Sequence, residues 1–195
     1  MIKAVEIGGN ELIYFTADTH FGHANILRFC DRPFASVQEM DATMIRKWNA
    51  KVHNNDTVFI LGDMFFRSTN VEEVLGQLKG KKRLIVGNHD TFWMRKVSLE
   101  KYFESVDSLL EISDGQHGLT LCHYPMLSWN HQRRTYMIHG HIHNDTTMDF
   151  WPLIAARERV LNAGADINRF EPVSFDELLA NNLRFKQEWA GENRE

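Results

Sequence analysis

The fold of this chain of 195 residues is constrained most strongly by five short polar segments, each directly after an apolar run. They are Asp18-Thr19-His20, Gly62-Asp63, Asn88-His89-Asp90, His123 and Gly140-His141-Ile142-His143. The apolar runs, such as Val58 to Leu61 and Leu84 to Val86, are typical of buried strands in a parallel sheet. Because ligands bind in open α/β sheets outside the carboxyl ends of the strands, the segments predict one shared site.

Helices are expected between these strands. Ser36 and Glu39 form a capping box, and apolar residues then recur at spacings of three and four as far as Val52. Alternating strands and helices imply right-handed crossovers and a mostly parallel sheet. We therefore expect an α/β fold, a four-layer αββα sandwich of two mixed sheets flanked by helices, as a single domain over residues 1–195.

The two ends of the chain carry further signals. A turn at Gly8-Gly9-Asn10 suggests a hairpin whose second strand is Glu11 to Thr16. A second capping box, Ser174 to Glu177, opens a last helix. That helix is expected to place four apolar residues on one face: Phe175, Leu178, Leu179 and Leu183. In the second half of the chain, short strands are expected around residues 108–112, 119–122, 136–139 and 160–162.

Composition excludes several classes of protein. A formal net charge of −4 disfavours tight non-specific binding to nucleic acid, so no stable complex with duplex DNA is expected. With only two cysteines the chain has no disulfide framework. Its apolar runs are too short to span a bilayer, and Glu6 interrupts any signal-peptide pattern, so we expect a cytoplasmic protein without a membrane partner.

The five segments together offer two carboxylates, one amide oxygen and four imidazoles. One four-coordinate zinc ion needs fewer ligands, but two divalent ions about 3.5–4 Å apart could share them through a bridging carboxylate. Mixed oxygen and imidazole ligands suit manganese, iron, nickel or zinc, and we expect manganese. His141 and His143 would lie on one face of a strand. The net positive charge of such a site would attract an anion such as a phosphate ester.

The order of these motifs resembles that of the calcineurin-like metallophosphoesterase family. D-x-H, G-D, G-N-H-D, H and G-H-x-H stand here at residues 18–20, 62–63, 87–90, 123 and 140–143. The segments Ala17-Asp18-Thr19-His20-Phe21-Gly22-His23 and Leu161-Asn162-Ala163-Gly164-Ala165-Asp166 look like those of small prokaryotic and phage members. The resemblance implies a metal-dependent phosphoric ester hydrolase with a two-sheet sandwich fold.

The resemblance also implies a role for each position. The first metal ion would be bound by Asp18, His20 and His143. The second would be bound by Asn88, His123 and His141. Asp63 would bridge the two ions, and His89 would donate a proton to the leaving oxygen without binding metal.

Other positions near the motifs are candidates for contacts with substrate. Many relatives have Asp or His three residues after the bridging Asp, where it orients the catalytic histidine, but this chain has Phe66. Arg67 has the spacing of a phosphate-clamping arginine, and His23 and Asn25 could also contact the substrate phosphate. Seven aromatic residues lie near the motifs: Phe21, Phe65, Phe66, Phe92, Trp93, Tyr124 and Trp129. Most are expected in the core, with Trp129 or Trp93 as the candidates to stack on a base.

The expected reaction is hydrolysis of a phosphate ester. In it a metal-bridging hydroxide attacks phosphorus in line, and His89 protonates the departing alkoxide. We expect a phosphodiester of a small nucleotide as substrate, because D-x-H-F-G resembles the phosphodiesterase branches and the acidic chain does not favour long DNA. The alternatives are a nuclease or an RNA-end-processing phosphodiesterase or phosphomonoesterase and, more remotely, a catalytically silent scaffold.

Overall fold

The computed structural model describes residues 3–4 and 11–192. Its strands are β1 (Lys3–Ala4), β2 (Ile13–Thr16), β3 (Thr57–Ile60), β4 (Lys81–Ile85), β5 (Phe103–Asp107), β6 (Leu109–Ser113), β7 (Gly118–Cys122), β8 (Thr135–His139) and β9 (Val160–Asn162). Its helices are α1 (Ile26–Phe29), α2 (Val37–Lys51), α3 (Val71–Gln77), α4 (Thr91–Met94), α5 (Trp151–Ala155) and α6 (Phe175–Glu192), with a 3-10 turn at Leu99–Lys101. The predicted turn at Gly8-Gly9-Asn10 lies outside the described residues, and the predicted hairpin around it is wrong, because β1 pairs with β6 and β2 pairs in parallel with β3.

These strands form two sheets within the described residues. One has the order β2-β3-β4-β5, and the other has the order β1-β6-β7-β8-β9. The first sheet is parallel along all its strands, with one isolated antiparallel bridge between Phe15 and Val173 at its edge. The second is mixed, because only β6 and β7 pair in an antiparallel direction. The predicted α/β fold with two packed sheets is confirmed.

Apolar clusters fill the spaces between four layers. Phe15 of the first sheet and Leu121 of the second lie in the cluster between the sheets. Trp48 of α2 and Trp93 of α4 belong to a cluster on the outer face of the first sheet. Trp151 of α5 belongs to a third cluster on the outer face of the second sheet. The layers therefore follow the predicted αββα order.

Both predicted capping boxes begin a helix. The Ser36 hydroxyl accepts from the backbone N–H of Glu39 at 3.2 Å, and the Glu39 carboxylate accepts from the backbone N–H of Ala35 at 2.8 Å. At α6 the backbone N–H of Ser174 donates to the Glu177 carboxylate at 2.8 Å, and the Ser174 hydroxyl accepts from the Glu177 N–H at 3.4 Å. These bonds satisfy N–H groups that have no partner within the helix.

The predicted apolar face of α6 is only half correct. Phe175 and Leu178 are buried, but Leu179 is 37% exposed and Leu183 is 58% exposed. The helix instead packs along the stripe that contains Leu178, Asn182, Phe185 and Trp189. Asn182 belongs to this stripe because its side-chain oxygen accepts from the backbone N–H of Asn162 at 2.7 Å. A polar contact therefore fixes the rotation of the helix.

No helix in the described part of the chain is long and apolar enough to cross a membrane.

Candidate metal centre

The polar segments meet at the carboxyl ends of strands from both sheets. Asp18 follows β2, Asp63 follows β3 and Asn88 follows β4, while His123 directly follows β7 and His141 follows β8. Backbone bonds hold the segments side by side: the N–H of Asp18 donates to Gly62 O at 3.0 Å, and that of Gly140 donates to His123 O at 2.9 Å. A parallel bridge between residues 17 and 164 joins the two sheets at this edge. The fold thus brings polar side chains from a stretch of 126 residues, 18–143, together at one place.

Left-handed backbone conformations are concentrated in these segments. Positive φ angles occur at Asp18 (53°), His20 (52°), Asp63 (52°), His141 (74°) and His143 (51°). Such a conformation is uncommon for residues other than glycine and costs on the order of 1–3 kcal/mol, so it persists only where the surroundings enforce it. Strained residues of this kind cluster at functional sites, which supports a role for this edge of the sheets.

The two histidines of the H-x-H motif do not lie on a strand. β8 ends at His139, and both His141 and His143 lie in the following loop. The expectation that strand alternation places them on one face is therefore wrong. Gly140 allows this loop to pass close to β2, because a Cβ at Gly140 would lie 2.6 Å from Asp18 Oδ2.

The seven side chains predicted to bind metal converge in two adjoining groups. In each group the possible ligand atoms lie within 4.8 Å of one another. One group, here called the first, consists of Asp18, His20 and His143. The second group consists of Asp63, His123 and His141. Asn88 joins the second group, since its Oδ1 lies 3.0 Å from His123 Nε2.

Asp63 lies between the two groups. Its Oδ2 atom is 3.5 Å from His123 Nε2 in its own group and 3.8 Å from His20 Nε2 in the first group. Its Oδ1 atom accepts a hydrogen bond from the backbone N–H of His89 at 2.8 Å. One carboxylate is therefore in reach of both groups, as a bridging ligand must be.

Two polar atoms of the first group have no hydrogen-bond partner in the described part of the chain. They are Asp18 Oδ1 and His20 Nε2, and both residues are buried. Buried polar atoms are almost always paired in native proteins, so an unpaired carboxylate oxygen beside an unpaired imidazole nitrogen requires an explanation. Oxygen and imidazole donors of this kind fit a divalent metal ion.

The ionisation of the two carboxylates differs. Burial raises the pKa of Asp18 to about 6, and the charges of His143 and His123 only partly offset this effect. Burial also acts to raise the pKa of Asp63, but hydrogen bonds and charge from His123, together with the N–H of His89, lower it to about 2. A metal cation beside Asp18 would favour its ionised form as well.

Hydrogen bonds orient two of the imidazoles. Nδ1 of His123 lies 2.8 Å from the carbonyl oxygen of Leu61, and Nδ1 of His143 lies 2.9 Å from Asp166 Oδ2. In each case the bond occupies Nδ1 and leaves Nε2 for a ligand. Metal-binding histidines in proteins are commonly fixed in this way by a carbonyl or carboxylate.

Asp90 organises the loops around Asp63, a role that the sequence motif did not indicate. Its carboxylate accepts from the N–H groups of Asp63 at 2.8 Å, Met64 at 2.9 Å and Gly87 at 2.8 Å, and from the indole of Trp93 at 2.8 Å. The residue is fully buried, and burial raises its pKa despite these bonds. Asp90 thereby joins the loop after β3 to the loop after β4.

Replacing Asp90 is expected to destabilise the fold strongly. Asp90→Ala would leave the four donors without their acceptor, and a buried unpaired donor costs about 1–3 kcal/mol. We expect the midpoint of urea unfolding to fall accordingly. The control is Glu104→Ala, because Glu104 pairs with Arg83 at the exposed surface. Equal, small shifts in both variants would contradict the organising role of Asp90.

A cleft of about 820 Å³ opens in front of the two groups. Its walls include all three predicted substrate-binding residues, His23, Asn25 and Arg67, as well as His89. The side chain of His89 is 41% exposed, and its Nε2 lies 3.9 Å from Asp63 Oδ2. A ligand in the cleft could therefore contact both His89 and the metal groups.

The aromatic residues of the cleft differ from those expected. Trp93 is 1% exposed and packs edge-on against Phe65, with 5.1 Å between ring centroids. Trp129 is also buried, and its indole N–H donates to the Thr135 hydroxyl at 3.0 Å. Neither tryptophan is free to stack on a base, because each indole is held in a core cluster. Phe66 and Phe29, which is 63% exposed, line the cleft instead.

Comparison with known proteins identifies the family. The sequence pattern of calcineurin-like phosphoesterases matches residues 12–189. The chain belongs to the calcineurin-like phosphoesterase family. Members of this family are metal-dependent hydrolases of phosphate esters, and the chain is accordingly a phosphoric ester hydrolase that uses divalent metal ions. The resemblance seen in the sequence motifs is thus confirmed.

Several relatives resemble the chain over most of their length. An uncharacterized protein of Methanocaldococcus jannaschii is 34% identical over 170 residues, covering 86% of this chain and 89% of the relative. The Gene 66 protein of Mycobacterium phage L5 is 30% identical, covering 78% of this chain and 86% of the phage protein. A solved structure of a protein of unknown function from Aquifex aeolicus is 24% identical, with a TM-score of 0.69, and covers 86% of this chain and 97% of that chain. The last comparison supports the fold.

Proposed function

We propose that this family member is a dinuclear phosphodiesterase that hydrolyses a phosphodiester of a small nucleotide. The observation that carries the proposal is the position of Asp63 Oδ2, within 4 Å of an imidazole nitrogen in each of the two ligand groups. In a two-metal site one carboxylate commonly connects both ions, and the ions lie about 3.5–4 Å apart.

Each ion would have its own set of ligands. Asp18, His20 and His143 would bind the first ion, while Asn88, His123 and His141 would bind the second, with Asp63 shared. Manganese suits these oxygen and nitrogen donors, as do iron, nickel and zinc. When bound, the ions supply Lewis-acid stabilisation of the phosphoryl oxygens and lower the pKa of the attacking water.

His89 is proposed to protonate the leaving oxygen. Its backbone N–H is fixed on Asp63 at 2.8 Å, and its imidazole faces the cleft beside the two groups. Phe66 contacts this imidazole edge-on, with 4.9 Å between centroids and 89° between planes. This contact limits rotation of the ring, at the position where many members of the family have an Asp or His that orients the histidine. The imidazole is therefore positioned by packing, because the Asp63 carboxylate, 3.9 Å from its Nε2, lies beyond hydrogen-bond distance.

The residues that line the cleft favour a substrate with an organic group over a simple phosphate. Two aromatic side chains, Phe29 and Phe66, could contact a planar base, and two cations, Arg28 and Arg67, could contact phosphate oxygens. Arg67 lies over the Phe66 ring, with its guanidinium carbon 5.4 Å from the centroid. The His23 ring packs against Phe66, with 4.1 Å between centroids and 31° between planes, and extends the same wall towards the metal groups. Aromatic side chains beside cationic groups are the features with which proteins bind unpaired bases and the phosphates attached to them.

The substrate class is tested with purified protein stripped of metal and then supplied with Mn²⁺. We expect cyclic nucleotides and dinucleotides to be hydrolysed with a higher kcat/KM than nucleoside monophosphates, p-nitrophenyl phosphate or oligonucleotides. Turnover that is equal with and without the metal would contradict the two-metal proposal. A strong preference for oligonucleotides or for phosphomonoesters would replace the small diester as the proposed substrate.

Phe29 is predicted to contribute to nucleotide binding. Stacking of a base on an aromatic side chain is worth about 1–3 kcal/mol, so Phe29→Ala is expected to raise the KM for a nucleotide diester by about 5- to 150-fold. The KM for a simple alkyl phosphodiester, which has no ring to stack on Phe29, should change much less. Phe92→Ala is the matched control, because Phe92 is 52% exposed on α4. Equal increases for both esters would indicate loss of packing instead of base recognition.

A further inference from the structure

A buried arginine outside the metal groups holds the loop that carries two residues of the first group. Arg32 follows α1 and is only 4% exposed. Its Nη2 donates to the carbonyl oxygen of Asp18 at 2.6 Å, and its Nη1 donates to that of Thr19 at 2.9 Å. Asp18 and His20 in this loop both have left-handed φ angles. The guanidinium therefore fixes a strained backbone at the point where it presents two of the proposed ligands.

The same guanidinium forms a bidentate ion pair with the Asp166 carboxylate. Nε lies 2.8 Å from Oδ1 and Nη2 lies 3.0 Å from Oδ2, and the two side chains are 0% and 2% exposed. Asp166 Oδ2 also lies 2.9 Å from Nδ1 of His143. The chain of contacts from Arg32 through Asp166 thus ends on the third member of the first group.

We propose that Arg32 and Asp166 are positioning residues for the first metal ion and that its affinity, but not that of the second ion, depends on them. The inference rests on the two-metal proposal above. Within the described residues, no hydrogen bond of Arg32 or Asp166 reaches Asp63, His123 or His141. Apart from a contact of Arg32 Nη1 with Met40 Sδ at 3.4 Å, these contacts end on Asp18, Thr19 and His143, on the side of the first group.

The ion pair acts through geometry more than through charge. A lone buried guanidinium would repel a nearby divalent ion, but the Asp166 carboxylate neutralises it at hydrogen-bond distance. A planar guanidinium can donate in fixed directions to two carbonyls and a carboxylate at once, whereas a lysine ammonium is a point charge on a flexible stem. Arg32→Lys would therefore keep the charge and lose most of the directional contacts.

The test is a calorimetric titration of the metal-stripped protein with Mn²⁺. We expect the wild-type protein to bind two ions. In Arg32→Lys one of these affinities should fall by about 10- to 100-fold, the usual effect of losing a partner that orients a ligand, while the other is unchanged. The electron paramagnetic resonance spectrum at two equivalents of Mn²⁺ should change from that of coupled ions to that of isolated ions. Arg83→Gln is the control, since Arg83 pairs with Glu104 at the surface.

Asp166→Asn provides a second variant in case Arg32→Lys unfolds, and it preserves the shape of the Asp166 side chain. It keeps an oxygen for His143, but it loses one of the two contacts with Arg32 and the negative charge that neutralises the buried guanidinium, so a loss at the same single ion at least as large as that in Arg32→Lys is expected. If the wild-type protein binds two ions and a variant loses affinity equally at both sites, the positioning role is overturned and the two-metal proposal stands. The same holds if neither variant loses affinity at either site. A wild-type protein that binds one ion would overturn the two-metal proposal and, with it, this selective effect.

Discussion

Asp63→Asn is expected to lower kcat by on the order of 10³-fold or more, because both metal ions would lose their shared anionic ligand and with it much of the stabilisation of the transition state. The substitution preserves the shape of the side chain. Its Oδ1 can still accept from the N–H of His89, and the backbone N–H of residue 63 can still donate to Asp90. The fold should therefore survive, with a melting temperature close to that of the wild type.

The kinetic loss is measured together with the metal content. Asp114→Asn is the matched control, since Asp114 is a partly buried carboxylate in the turn between β6 and β7. We expect the control to retain two ions and full turnover. If Asp63→Asn also retained two ions and full turnover, Asp63 would not be a bridging ligand.

His89→Ala should separate two classes of ester. A ribose alkoxide is a poor leaving group without a proton, so hydrolysis of a nucleotide diester should slow by about 10²–10⁴-fold, the usual contribution of general acid catalysis. We expect a loss near the lower end, because Phe66 fixes the imidazole only by packing. A p-nitrophenolate leaves without protonation, so bis-p-nitrophenyl phosphate should be affected far less.

Metal analysis completes this experiment. His89→Ala should retain both ions, since the His89 imidazole belongs to neither ligand group. Phe66→Leu is a useful companion variant: it keeps the proton donor, removes the edge-on contact and should slow only the alkyl ester, to a smaller extent. Equal losses for both esters together with an empty metal site would identify His89 as a ligand.

The strands and the motif positions were predictable from the sequence for a simple physical reason. Apolar runs such as Val58 to Leu61 can be buried on both faces only in a central strand, and the residue types that follow them are metal donors. The carboxyl ends of parallel strands lie at the same edge, which brings Asp18, Asp63 and Asn88 together. The family resemblance then predicts a role for each position.

The supporting contacts were not predictable in this way. Arg32 and Asp166 are 134 residues apart, and no periodicity or spacing indicates that they pair. In the sequence, Asp90 is indistinguishable from an aspartate in an ordinary turn, although its carboxylate accepts four hydrogen bonds in the structure. Trp93 and Trp129 lie close to the motifs in the sequence, but both are buried in core clusters. Their burial depends on the direction in which each loop leaves its strand, and short-range patterns do not contain that information.

The central claim is tested most directly by anomalous diffraction at the manganese absorption edge from crystals grown with Mn²⁺. We predict two peaks about 3.5–4 Å apart. One should contact Asp18, His20 and His143, the other should contact Asn88, His123 and His141, and the Asp63 carboxylate should contact both. A single peak, or two peaks that do not share Asp63, would contradict the dinuclear centre.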